Sequence, residues 1–177
     1  MIFTATDVEG VYVIDPEPFV DDRGLFARVF DEDTFRELGL STRFPQCSVS
    51  YNPVKGTMRG MHFQRGEHAE AKLIRCTRGA IYDVAIDLRP GSPTLHRWAA
   101  AELTAENYRQ FYVPEGCAHG FLTLEPDSEV YYQISAAYCA EASAGVRWDD
   151  PAFGVKWPSA PVVMSPKDAA YEALRAL

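Results

Sequence analysis

The chain has 177 residues, enough for one domain of ordinary size, and 47% of them are hydrophobic, enough to build a sizeable core. Seventeen basic residues stand against twenty-five acidic ones, and the formal net charge of −8 repels a polyanion; nucleic-acid binding is excluded unless the basic groups gather on one face. The start of the chain (MIFTATDVEG) has no basic stretch followed by an apolar run, and no long apolar run occurs elsewhere, so a soluble, cytoplasmic protein without a membrane span is expected.

In chain order, Asp31 to Gly39 (DEDTFRELG) predicts a short helix, with Asp31 or Asp33 as its cap, Phe35 and Leu38 on one face, and Gly39 as terminator. From Met58 to Ser135 the pattern changes. Short β-branched and aromatic runs (KLIRCT, AIYDVAIDL, RQFYVP, GFLTL, EVYYQIS) alternate with turn signals at Arg78-Gly79, Arg89-Pro90-Gly91, Pro114-Glu115-Gly116 and Pro126-Asp127. Strands at this spacing predict an all-β sandwich or barrel of jelly-roll type with short peripheral helices. The last stretch, SPKDAAYEALRAL, reads as a second helix capped by Ser165, with Pro166 in its first turn and Asp168 three residues after the cap. No repeat or linker interrupts residues 1–177, so a single domain is expected. Cys47, Cys76, Cys117 and Cys139 form no Cys-x-x-Cys pair and read as buried free thiols.

Two segments resemble the paired signatures of the cupin superfamily, double-stranded β-helix barrels that hold a ligand in the mouth. They are GTMRGMH, ending at His62, and Pro114-x-Gly116-x-x-His119. Such barrels usually bind a metal through two histidines two residues apart. Here the second position is Gln64, a poor ligand for a divalent transition metal; Glu67 or Glu70 could supply a carboxylate, but no metal site is predicted.

The chain resembles, almost end to end, the dTDP-4-dehydrorhamnose 3,5-epimerase family, a metal-free branch of that fold. The resemblance rests on Asp22-Arg23-Gly24-x-Phe26, Gly56-x-x-Arg59-Gly60-x-His62-x-Gln64, Lys72-Leu73-Ile74, Asp83-x-x-x-Asp87-x-Arg89-x-x-Ser92-Pro93-Thr94, Pro114-x-Gly116-x-Ala118-His119-Gly120-Phe121, Tyr132 to Tyr138, Trp148-x-Asp150-Pro151, Trp157-Pro158 and Ser165-x-Lys167-Asp168. It implies an isomerase that removes and returns protons beside the ketone of a nucleotide-linked sugar, dTDP-linked in the family, with no cofactor and as a homodimer. By resemblance His62 is the base, Tyr132 the acid on the opposite face, Lys72 the stabiliser of the enolate, and Asp168 the group that fixes the tautomer of His62. The residue types suit the task. Imidazole titrates near neutrality, an ammonium offsets a developing oxyanion, and inversion needs a second proton source across the ring. Regular alternation aims Lys72 inward with Ile74 and Cys76, and sets Tyr132 between Val130 and Ile134. Arg23 and Arg59 resemble diphosphate contacts, His119 a contact near the ketone, and Lys167, Gln46 and Phe26 further substrate contacts. His68 and His96 read as loop residues.

Three positions depart from the family pattern. Arg28 and Ser143 stand where glutamates are common, and Ser48 where asparagine is; all three tend to touch ligand, so the substrate can differ from the family's own. A ketoisomerase, a binding-only barrel and a metal-dependent cupin remain open alternatives.

Overall fold

The computed structural model describes residues 1–174. Its strands are β1 (Ile2–Ala5), β2 (Tyr12–Asp15), β3 (Phe19–Asp21), β4 (Gly24–Phe26), β5 (Gln46–Asn52), β6 (Thr57–Gln64), β7 (Lys72–Arg78), β8 (Ala80–Asp87), β9 (Trp98–Thr104), β10 (Gln110–Val113), β11 (Cys117–Thr123), β12 (Ser128–Ile134), β13 (Ser143–Gly145) and β14 (Val163–Met164). The helices are α1 (Glu32–Glu37) and α2 (Pro166–Ala169), with a 3-10 turn at Gly66–His68. The first sheet runs β1-β2-β10-β7-β12-β5 and the second β13-β6-β11-β8-β9, with β14 parallel to β6. From β7 to β12 the chain crosses repeatedly between the two sheets, which closes the predicted double-stranded barrel. Hairpin β3–β4 belongs to neither sheet.

Strict alternation explains the layering. On β7 and β12, Ile74, Cys76 and Val130 point inward and meet Ile81, Ala85, Leu103 and Phe121 of the second sheet. The outward residues Leu73 and Tyr112 are covered by Phe35 of α1 together with Phe3, Phe30 and Phe44. The outer face of the second sheet, Val84, Ile86 and Met61, is covered by Phe153, Val155 and Trp157. Strands β8 and β11 are thus buried on both faces, which is why they read as near-continuous apolar runs.

The short helix is capped by Asp31, whose side chain accepts the Thr34 N–H at 3.1 Å, and Gly39 terminates it at φ +69°. Leu38, expected beside Phe35, is 42% exposed because the helix has already ended there. The second helix is shorter than the sequence pattern: it stops at Ala169, and residues 171–174 are not helical. The chain turns away because the Tyr171 ring packs over Gly145 and against His62, and the Leu174 N–H bonds Asp150. Residues 175–177 of the predicted helix lie outside the described residues. Only two of the four thiols are buried, Cys76 and Cys117, and burial pushes them up to about 11 and about 12; Cys47 is exposed because β5 is an edge strand. No described helix is long and apolar enough to cross a membrane.

Strand β6 breaks its alternation once. Gly60 has φ +143°, and the β6–β11 register shifts between His119 and Phe121. Arg59 and His62, three residues apart, would face opposite sides of a regular strand. Here both line one cavity. A β-carbon on Gly60 would lie 2.5 Å from the Gly120 Cα, which is backbone and cannot step aside. Gly60→Ala is therefore expected to cost about 3 kcal/mol through strain and overpacking, measured by urea unfolding; unchanged stability would show that the strand can move.

Candidate active site

The mouth of the barrel holds a cavity of about 560 Å³ whose lining includes Arg59, His62, Gln64, Glu70, Lys72, Tyr138, Ser143, Lys167 and Asp168. His62 projects from β6 with 39% of its side chain exposed, and its Nε2 lies 2.7 Å from Asp168 Oδ1. Asp168 is itself 4% exposed. Its position follows from the cap of α2, where Ser165 Oγ accepts the Asp168 N–H at 3.0 Å, and its second oxygen accepts the Gly60 N–H at 3.3 Å. Burial works to raise the Asp168 carboxyl, but the hydrogen bond and charge of His62, the Gly60 N–H and Ser165 outweigh it and hold the group below its ordinary range. An ionised carboxylate can only accept, so His62 Nε2 carries a proton, and whenever the ring is neutral the lone pair sits on Nδ1.

Lys72 enters from the opposite sheet. It is 8% exposed, and its Nζ lies 2.9 Å from Glu70 Oε1 and 3.4 Å from the His62 carbonyl. Glu70 is thus engaged as the counter-ion of Lys72, and its other oxygen accepts Gln64 Nε2 at 2.8 Å. The orientation of Gln64 is fixed by its backbone partners: Oε1 accepts the Cys139 N–H, and Nε2 also donates to the carbonyls of His68 and Ala137. Glu67 is exposed in the 3-10 turn. Among the described residues no group of three or more His, Cys, Asp or Glu side chains is placed to hold a metal ion.

Tyr132 stands on β12, directly opposite Ile74 of β7, and so shares the inward face of Lys72. Its hydroxyl shares a 3.1 Å hydrogen bond with Ser50 Oγ on β5. Burial pushes its phenol well above the ordinary value, only partly offset by Ser50 and Arg59, so the group keeps its proton throughout the neutral range. His119 pairs with His62 across β11 and β6, yet it lies deeper: it is buried, its Nε2 is 2.6 Å from Asp83 Oδ1, and its ring meets Tyr132 edge-on at 6.2 Å. Complete burial pushes the Asp83 carboxyl up against the opposing pull of His119 and Lys72, and its Oδ2 has no partner among the described residues. The imidazole of His62 and the phenol of Tyr132 therefore come from different sheets, with His119 between.

The remaining expected contacts divide into two groups. Lys167 lines the cavity and donates to Ser143 Oγ at 3.4 Å, which places one of the three departures directly in the site. Gln46 holds the Tyr138 N–H at 2.7 Å. Arg23 and Phe26 are elsewhere, on the β3–β4 hairpin, where Arg23 pairs with Asp21 and Phe26 is 74% exposed. Arg28 pairs with the helix cap Asp31, and Ser48 sits opposite Tyr132 on the exposed edge. His68 lies in the 3-10 turn and His96 against Phe153, both outside the cavity lining. Sequence reasoning gave no task to Asp83, Ser50 or Asn52, and weighed Glu70 only as a carboxylate for a metal, whereas the structure pairs it with Lys72; the inward parity of Asp83 and Ser50 on their strands was the available signal.

Fold and site together define a cupin barrel with a histidine–carboxylate pair and a lysine lining the cavity at its mouth, and a tyrosine on the inward face of the facing sheet, deeper than that lining. A family model described as dTDP-4-dehydrorhamnose 3,5-epimerase matches residues 5–176. The chain is 45% identical over 175 residues to the dTDP-4-dehydrorhamnose 3,5-epimerase of Sinorhizobium fredii, covering 98% of this chain and 90% of that one. Among solved structures it is similar to the same enzyme from Elizabethkingia anophelis (TM-score 0.94, 38% identity, 98% and 96% coverage). It is also similar to that from Bacillus anthracis with TDP and PPi bound (TM-score 0.92, 40% identity, 98% and 99% coverage). The chain belongs to the dTDP-4-dehydrorhamnose 3,5-epimerase family.

Because the folded-state value of Asp168 is depressed, its contribution to stability is present above the ordinary carboxylate value of 3.8 and is lost as pH falls through the lowered one. Asp168→Asn is expected to reduce stability at pH 7 by about 1 kcal/mol and to flatten the acid side of the stability curve, read from denaturation at stepped pH.

Proposed function

We propose that the chain epimerises a nucleoside-diphospho-4-keto-6-deoxy sugar, probed first as the dTDP-linked compound, within deoxysugar synthesis. The observation that carries this reading is the orientation of His62: Asp168 claims Nε2, leaving Nδ1 free at the mouth, with the Lys72 ammonium from the facing sheet. His62 takes the proton from a carbon beside the ketone, and the electron pair moves onto the ketone oxygen, where Lys72 offsets the charge. Tyr132 returns a proton to the other face of that carbon, and Ser50 Oγ–H steadies the phenolate it leaves. His119 supports Tyr132 near the ketone, and Arg59, Lys167 and Gln46 serve the nucleotide end and the loop that covers it. The family model matches residues 5–176, which supports a single domain over that span; the chain is read as a cytoplasmic enzyme acting without metal or cofactor.

The test is proton exchange in deuterated water followed by NMR, with chelator present. Wild type is expected to place deuterium at C3, C5 or both, and His62→Ala to slow exchange by about 100-fold or more while remaining folded; retained exchange at both carbons removes His62 from the role. Tyr132→Phe is expected to cut inverted product by at least about 100-fold while deuterium still enters with retention. A displaced carbonyl would favour the ketoisomerase, ligand binding without exchange a binding-only barrel, and loss of activity with chelator a metal-dependent cupin.

The family's dimeric habit accounts for the hairpin. Phe19, Val20 and Phe26 are each more than two-thirds exposed in the single chain, an unfavourable arrangement unless a second copy covers them. In a homodimer the hairpin would bring Arg23 and Phe26 to the partner's mouth. Mixing inactive His62→Ala with inactive Arg23→Ala and allowing subunits to exchange should then restore about a quarter of wild-type activity, since half the dimers are hybrids with one intact site; no recovery would place Arg23 in its own subunit's site.

A further inference from the structure

Arg59 is exposed at the cavity wall, yet its guanidinium is held from behind. Its Nε donates to Asn52 Oδ1 at 2.7 Å, and Asn52 is 1% exposed. The amide of Asn52 has no freedom to turn. Nδ2 donates to the Ser128 carbonyl at 3.2 Å and the Ser50 carbonyl at 3.4 Å, both obligate acceptors, so Oδ1 must face the arginine. A flipped amide would set an N–H group against the Nε–H. The arginine is thus engaged through the one nitrogen nearest its stem, and among the described residues neither Nη group bonds a protein acceptor. Those two nitrogens form the end-on fork that matches two phosphate oxygens.

We propose that Asn52 is a positioning residue for the ligand: it grips Arg59 through Nε and so presents the paired Nη groups to a diphosphate at the mouth. This rests on the nucleoside-diphosphate reading above. The role is one of preorganisation. An arginine with a free Nε would sample many rotamers and lose that freedom only on binding; here the buried Asn52 at the end of β5 has already restrained it. Asn52 also approaches Ser50 Oγ, at 3.5 Å, so action through Tyr132 is the competing route, and the two routes differ in what they move. Gripping Arg59 changes affinity, whereas action through the phenol changes turnover.

Calorimetric titration with dTDP, together with exchange kinetics, separates them. Asn52→Ala is expected to weaken dTDP binding about tenfold, as loss of one charge-assisted hydrogen bond does, and to raise KM with kcat nearly unchanged. Asn52→Leu, which keeps the shape and lacks the amide, should do the same and stands in if the alanine variant does not fold. Asn52→Asp keeps an acceptor for Nε but sets its second oxygen against the Ser128 and Ser50 carbonyls, so it should bind dTDP more tightly than the alanine variant while losing stability; binding no tighter than the alanine variant in a folded protein would also overturn the proposal. In an Arg59→Ala background, Asn52→Ala should add no further loss. Wild-type affinity in the alanine and leucine variants, additive losses in the double variant, or a fall in kcat at constant KM would each overturn the proposal. Wild type that binds no dTDP would instead overturn the nucleotide reading, and this proposal with it.

Discussion

A hydrogen bond of 2.7 Å between His62 and Asp168 ties a strand in the middle of the chain to a helix more than a hundred residues later. Either end alone is unremarkable chemistry. A half-exposed histidine without a carboxylate would tumble between tautomers, and a buried aspartate without a donor would be driven toward its neutral form. Each group removes the other's ambiguity. The same carboxylate takes the Gly60 N–H at the break in β6 that lets Arg59 and His62 share a wall, so a single side chain governs both the state of the imidazole and the shape of the strand that bears it.

The barrel solves a second problem, that of bringing unlike groups to one place without mutual neutralisation. His62 hangs from one sheet, while Lys72 and Tyr132 rise from the other. Fixed partners restrain the groups that matter: Glu70, itself held by Gln64, for Lys72, Ser50 for Tyr132, and Asp83 for His119. Fixed dipoles and charges of this kind act without reorganising during reaction, which is where most electrostatic stabilisation of an enolate comes from. At the Lys167 wall of the cavity this chain departs from the family pattern, because Lys167 finds the Ser143 hydroxyl there rather than a charge.

Much of this was legible in the residues, for physical reasons. The inward placement of Lys72 with Ile74 and Cys76 follows from strand period alone, and Ser165 with Asp168 announced a helix start. Family motifs supplied the roles, which no periodicity could. Other features were hidden because they depend on contacts distant in sequence. Strand β9, with its run of alanines at 99–101, drew no strand assignment, yet β8 captures it. The second helix looked long by pattern and was cut short by the packing of Tyr171 on Gly145. Nothing local to Gly60 revealed that Gly120 would press against it, nor that Asn52, seven residues ahead of Arg59, would become its anchor. The hairpin positions of Arg23 and Phe26 were equally invisible, since motif order carries no information about direction in space.

The way Asp168 is attached has a practical corollary. Its segment is fastened to the barrel by the two-residue β14, the four-residue α2 and the Tyr171 contact, all of them peripheral and poor in buried apolar area beside the layered core. Segments of that kind detach at lower free energy than the body they rest on. Warming should therefore release the carboxylate, and β14 with it, while the long strands of both sheets stay paired, silencing the protein reversibly at temperatures where its circular dichroism still looks native.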